Sequence, residues 1–142
     1  MIKTFRGLLA DGAQERIRLS TIKGKKGYRI MKFQVIPNTP GTGSDSEIVA
    51  KIYTTSQSSV DATVDFSDPE LMGAAYYQDN TGGGGMVDVI IFDKEVFNQD
   101  VYITYSKVTG SQACNYYIEM EVMELSDMAA EYTTIKDIRS NS

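Results

Sequence analysis

The side chains in this 142-residue chain that could carry chemistry are few and badly placed for it. There is no histidine. Its absence removes Ser-His-Asp triads, Cys-His pairs, histidine zinc sites and the commonest general base. Glu119 and Glu121 stand two residues apart in an alternating segment, so both carboxylates leave the same face of a strand. Carboxylates roughly 5–10 Å apart cleave glycosidic bonds. One of them must then be kept protonated by an apolar pocket, and nothing around this pair supplies one, so the pair reads as a solvated outer face. Asp65, Ser67, Asp68 and Glu70 gather oxygen ligands in a short run. The run departs from the EF-hand spacing that satisfies calcium, and helix capping accounts for Ser67 and Glu70. Cys114 is the sole cysteine, which excludes an intrachain disulfide. Thiol chemistry needs a lowered pKa, so Cys114 reads as a small buried hydrophobe.

Two glycine patterns invite a nucleic-acid or nucleotide reading. Gly24-Lys25-Lys26-Gly27 has the Gly-x-x-Gly form with which KH domains clamp a nucleic-acid backbone. Its flanks alternate like strands, whereas the KH loop joins helices, so the segment predicts a hairpin turn with Lys25 and Lys26 on an exposed tip. The run Gly82 to Gly85 lacks a following Gly-Lys-Ser/Thr and is not a phosphate-binding loop; it reads as a flexible tip. Nine tyrosines and no tryptophan remain. Exposed tyrosines mark protein interfaces and can stack on sugars, which makes Tyr77, Tyr117 and Tyr132 interface candidates.

The elements that must position these residues are mostly strands. Period-two alternation runs through 14–20, 47–55 and 116–124, the signature of half-buried antiparallel strands. Segments 2–10, 28–36, 86–92 and 101–106 are richer in apolar residues and read as strands buried more deeply or on both faces. Asp11-Gly12 suits a hairpin turn between the first two strands, Pro37 to Ser44 is a loop, and Thr109-Gly110-Ser111 is another. Seven or eight strands at this spacing predict a β-sandwich or barrel. Ser67-Asp68-Pro69-Glu70 has the form of a capping box and predicts a short helix near 68–77. A second helix is expected from Ser126-Asp127 to about Arg139, with Met128, Tyr132, Ile135 and Ile138 in an apolar stripe. That stripe either packs on its own domain or serves as an arm that packs on a neighbouring subunit. The domain spans 1–139, and 140–142 reads as a frayed tail.

Charge is divided by position. Residues 1–36 hold nine basic and two acidic residues, a net +7; the other 106 hold five and seventeen, a net −12. The overall net charge of −5 disfavours a dedicated nucleic-acid binder, and no cofactor or metal site is expected. No apolar run is long enough to span a membrane, and the N-terminus shows no signal-peptide pattern. A domain polarised this way suits head-to-tail contact between unlike surfaces, which leads us to expect a cyclic oligomer, a trimer before a dimer.

The runs GYRIMKFQVIPNTPG, VDFSDPELMGAAYYQDN, IIFDKEVFNQDVYIT and NYYIEMEVMEL, followed by the short C-terminal helix, resemble small virion proteins of tailed bacteriophages, marine ones especially. The resemblance covers roughly residues 1–139. It implies an all-β antiparallel sandwich, jelly-roll-like, made in the host cytoplasm and added to the virion in many copies. The implied role is non-enzymatic: a capsid decoration, cement or minor capsid protein that binds itself and the major shell protein. The alternative is a carbohydrate-binding module of a phage tail, or a neck or tail structural protein.

Overall fold

A computed structural model describes residues 1–21, 23–39, 46–80, 84–92, 96–109 and 112–140. Eight strands and one helix follow in order: β1 (Ile2–Leu9), β2 (Gln14–Ile17), β3 (Lys26–Pro37), β4 (Ser46–Tyr53), β5 (Leu71–Asn80), β6 (Gly84–Ile91), β7 (Val101–Thr109), β8 (Cys114–Glu124) and α1 (Asp127–Ser140). They form an all-β sandwich of two antiparallel sheets. One has the order β1-β8-β3, the other β2-β7-β4-β5-β6. First pairs with last, second with seventh, and fourth with fifth. A complete jelly roll would also pair β3 with β6; here β6 pairs with β5.

The core is the set of inward positions that period-two alternation selects. Ile48, Ala50 and Ile52 of β4 and Val101, Ile103 and Tyr105 of β7 face Ile30, Phe33 and Val35 of β3 and Tyr116, Ile118 and Met120 of β8. In β3 the period breaks once. Ile30 pairs with Met120 and Lys32 with Glu119, so Met31 is the extra residue of a β-bulge. The bulge shifts the inward parity from Tyr28 and Ile30 to Phe33 and Val35, which keeps all four in the core. This is why residues 28–36 look apolar on both faces when read as one regular strand.

Three expectations are corrected. Residues 71–80 form strand β5, so no helix occupies 68–77. The capping-box groups are engaged elsewhere. Ser67 donates its hydroxyl to Asp65 at 2.6 Å, and the Glu70 carboxylate accepts from Thr55 Oγ1 at 2.5 Å. Asp68 closes a tight turn by accepting the Glu70 N–H at 2.9 Å. The segment then pairs with β4 on one side and β6 on the other, so sheet pairing overrides its local helix signal. Second, Asp11-Gly12 does not join a hairpin: β1 and β2 lie in different sheets. Gly12, at φ 79°, turns the chain from one layer to the other. Third, the turn before β3 likewise crosses between sheets, with Gly24 at φ 63°. The C-terminal helix forms where expected, with Ser126 Oγ accepting the Ala129 N–H at 3.2 Å as an N-cap. The glycine run at 82–83, most of the loop at 40–44, residues 110–111 and the tail at 141–142 lie outside the described residues.

Candidate interaction surface

The outer face of the three-stranded sheet is built by register. Central β8 presents Asn115, Tyr117, Glu119 and Glu121 outward. β1 flanks them with Leu8, Arg6, Thr4 and Ile2, and β3 with Ile36, Gln34, Lys32 and Arg29. The two basic strands therefore enclose the acidic one. Arg29 donates to Glu121 at 2.6 Å, and three pairs further along the ladder, on the inward-facing parity, Lys26 pairs with Glu124. On the other sheet Arg16 reaches Asp100 at 2.5 Å. Arg16, Lys26 and Arg29, three of the nine basic residues in 1–36, are thus paired inside the domain, which closes part of the positional charge split. Glu119 accepts a hydrogen bond from Tyr117 at 2.9 Å, which holds the Tyr117 phenol above its usual range. The two glutamates share an open sheet surface with basic neighbours and occupy no apolar pocket.

The Lys25 and Lys26 expectation changes accordingly. Lys25 is half-buried and partnered, and its carbonyl accepts the Leu125 N–H at 2.7 Å. Lys26 opens β3 in its ion pair with Glu124. Neither is a free lysine at a hairpin tip, because the segment is pinned under the start of α1. Asn98 does the pinning. Fully buried, it donates to Gly24 O at 2.9 Å and to Thr134 Oγ1 at 2.6 Å. Lys136 adds a bond to Val96 O at 3.0 Å.

This docking decides which side of α1 faces the protein. Ala130 and Thr133 are buried, whereas Tyr132 is 70% exposed and Ile135 54% exposed. The apolar stripe expected from the sequence is therefore split. Its Tyr132 and Ile135 members point to solvent, and small and hydroxylated residues do the packing. The side chains of Met128 and Ile138 lie outside the described ones. Of the other tyrosine candidates, Tyr77 packs against the core and Tyr117 is half-buried on the outer face. Only Tyr132 of the nine tyrosines is exposed, so no row of rings is offered to a sugar.

The outer face of the five-stranded sheet is covered by a strap, residues 54–70, which sequence reasoning missed. Under it Lys51 is 3% exposed and donates to Thr63 O at 2.6 Å and to Asp61 at 3.1 Å. The Lys51 hydrogen bond holds the Asp61 carboxyl below the usual range. Gln14 ties the strap to β2 by accepting the Gln57 N–H at 2.8 Å. The sequence signal was Lys51 itself, a charge within the apolar run 48–53. Phe66 of the strap meets Phe92 edge to face, with ring centroids 4.6 Å apart. Between strap and sheet lies an apolar cleft of about 130 Å³ lined by Val49, Val64, Phe66, Tyr76, Asp88 and Ile90, among others. On the same outer face Met86 of β6, and Phe92 just past its end, are also exposed.

The Asp65–Glu70 carboxylates are engaged within their own turns, and among the described residues no group of three or more acidic or cysteine side chains could hold a metal ion. Cys114 is buried, and burial pushes its thiol up to about 12. No described helix is long and apolar enough to cross a membrane. No protein-family model matches the chain, and no curated protein matches it.

Proposed function

We propose that the chain is a non-enzymatic structural protein of a tailed-bacteriophage virion, a capsid decoration, cement or minor capsid component that associates with itself and with the shell. The observation that carries the assembly part is the orientation of α1. Its Tyr132 and Ile135 stand in solvent although the helix has a docked side available. Large exposed apolar side chains grouped on one element favour a protein partner. The virion part is supported by the resemblance over residues 1–139. The jelly-roll reading rests on the strand order, with β6 retained by β5. The ion pairs within the domain weaken the charge-based motive for a head-to-tail trimer, so association is argued from the apolar surface. Weak contacts repeated over a symmetric lattice become strong through effective concentration. The tyrosine placement gives no support to the carbohydrate-binding alternative.

Density-gradient-purified particles of a phage carrying this sequence test the reading. Quantitative peptide mass spectrometry is expected to find the chain in many copies per particle. Its absence from the particles would overturn the virion assignment.

A further inference from the structure

A sheet edge exposes unpaired backbone donors and acceptors, and proteins blunt such edges with short strands, charges, bulges or proline. Three of the four edges in this sandwich carry such features. β2 is four residues long, with Glu15 and Arg16, and Gln14 ties it to the strap. β1 carries Lys3 and Arg6. β3 carries Arg29 and Lys32, a bulge at Met31 and Pro37 at its end. β6 has none of them. Its eight residues, Gly-Gly-Met-Val-Asp-Val-Ile-Ile, include one charge, no proline and no register shift against β5. It also overhangs the narrower sheet, so Val87 on its inward side is 60% exposed, and outward Met86 is 53% exposed. Among the described residues no strand pairs with its free side.

The geometry points to a second copy of this chain as the occupant of that edge, joined by antiparallel β6–β6′ pairing about a two-fold axis. The inference rests on the self-association proposed above and names its contact. The hydrogen-bond parity fixes the register. Phe92 N donates to Met72 O at 2.9 Å, so the even-numbered residues of β6 bond to β5. The N–H and C=O groups of Val87, Val89 and Ile91 therefore face the free side. Pairing Val89 with its own copy brings Val87 opposite Ile91 in both directions and matches all three. It also sets Asp88 opposite Ile90 of the second copy and Met86 opposite Phe92. A shift by one pair, with Val87 opposite Val89, would place Asp88 against Asp88, where like charges directly opposite are unfavourable. The strand is thus self-complementary in backbone and in apolar side chains, and this register keeps the two Asp88 carboxylates from standing directly opposite each other. The inner-face Val87, uncovered by the smaller sheet, gains Ile91 of the second copy as a neighbour. A single ladder of this length lies below the roughly 1,200 Å² of stable complexes. The free chain should therefore dimerise weakly, at roughly tens of micromolar, and rely on lattice repetition for strength.

Cysteine pairing reads the register. The non-hydrogen-bonded pair Asp88–Ile90′ has Cα atoms about 4.5 Å apart, within disulfide reach. Buried Cys114 does not compete. An equimolar mixture of Asp88→Cys and Ile90→Cys proteins under mild oxidation is expected to form a covalent heterodimer at least tenfold faster than either protein forms a homodimer. Val87→Lys, at an exposed position, is expected to weaken the dimer at least tenfold in analytical ultracentrifugation with an unchanged thermal melt. Preferential cross-linking of Asp88→Cys to itself, or no cross-link in the mixture, overturns the pairing. A native chain that associates with unchanged affinity when Val87 is lysine overturns this edge while leaving self-association standing. A native chain that stays monomeric at a hundred micromolar removes both.

Discussion

Arg29 on β3 and Glu121 on β8 face each other across the ladder with their charged ends 2.6 Å apart. The contact joins the basic first quarter of the chain to the acidic last quarter inside one sheet. Both side chains are about one-third exposed, at 36% and 35%, so solvent screening holds their attraction to about 0.5–1 kcal/mol. Glu121→Lys is expected to lower stability by about 1 kcal/mol, because it sets a third cation beside Arg29 and Lys32 on the outer face. Adding Arg29→Glu should recover most of that loss. A double-mutant cycle from urea unfolding measures the coupling, and a coupling near zero would show that the charge split is not resolved at this pair.

Asp100 is the stronger electrostatic anchor, with 8% of its side chain exposed. It accepts the Leu19 N–H at 2.6 Å, the Ser20 N–H at 2.8 Å and the Arg16 guanidinium at 2.6 Å. Burial pushes its carboxyl up, but the bonds from Ser20, Leu19 and Arg16 together outweigh it and hold the group below its usual range. A carboxyl depressed on folding contributes stability that is complete above the unfolded value, about 4, and is lost as pH falls through the folded one. The native protein should therefore destabilise as pH falls below about 4, and Asp100→Asn should flatten that acid limb. Asp100→Ala should cost about 3 kcal/mol at neutral pH, since two backbone N–H groups and a guanidinium lose a charged acceptor. Urea midpoints across pH 2.5–7 for the three proteins check both statements.

The regular strands were legible because their inward residues alternate: Ile48, Ala50 and Ile52, or Tyr116, Ile118 and Met120. What escaped the sequence depended on non-local pairing. The capping-box pattern at Ser67–Glu70 is locally sound, and only Thr55, the partner strands β4 and β6, and the turn geometry redirect it. The crossing turns at Asp11-Gly12 and Gly24 carry the glycines a hairpin would need, so composition cannot tell a hairpin from a step between layers. For the candidate surface, Tyr132 and Ile135 were visible as apolar members of a helix stripe. Their exposure follows from Asn98, which draws Thr134 and its side of the helix inward. The edge strand β6 was recognisable as a strand, but its being an edge follows from the order of the whole sheet.

Lys51 shows how the strap is held. Its amine is enclosed while its partner Asp61 remains 60% exposed. Removing one member of a buried pair leaves an uncompensated charge, whereas replacing the charge by an apolar group of similar shape is often neutral. Asp61→Ala is therefore expected to cost about 1–2 kcal/mol, the exposed partner reducing the full penalty. It should also speed proteolytic nicking within residues 54–70. Lys51→Met should stay within about 1 kcal/mol of the native protein, and combining it with Asp61→Ala should remove most of the Asp61→Ala cost. Equal losses for both single variants would mean that the ion pair, and not burial of the charge, controls the strap.

Cys114 is 1% exposed and its thiol is raised to about 12 by burial. At pH 8 a thiol of that acidity is about one part in ten thousand thiolate, and the thiolate is the reactive form. The folded protein should resist iodoacetamide for hours at pH 8 and react once when unfolded in urea. Stoichiometric labelling of the native protein, read by intact mass, would place Cys114 in a far more open environment than the core between the two sheets.

Helix α1 separates folding from association. Asn98, buried with bonds to Gly24 O and Thr134 Oγ1, belongs to the fold. Asn98→Ala should cost about 2–3 kcal/mol, because it strands a buried carbonyl and leaves a cavity. Tyr132 and Ile135 lie on the opposite side of the helix and are exposed. Replacing both with serine should leave the melting temperature within about 3 °C of the native value, the shift expected for less than ~0.5 kcal/mol in a domain of this size. If these side chains meet a neighbouring subunit or the shell, the same double variant should lose incorporation into particles at least tenfold in a competition with the native chain. Unchanged incorporation with an unchanged melt would remove α1 from the assembly surface and leave the β6 edge to carry association alone. A large loss of stability would instead mean that the stripe packs on its own domain, the arrangement that the exposure of Tyr132 and Ile135 argues against.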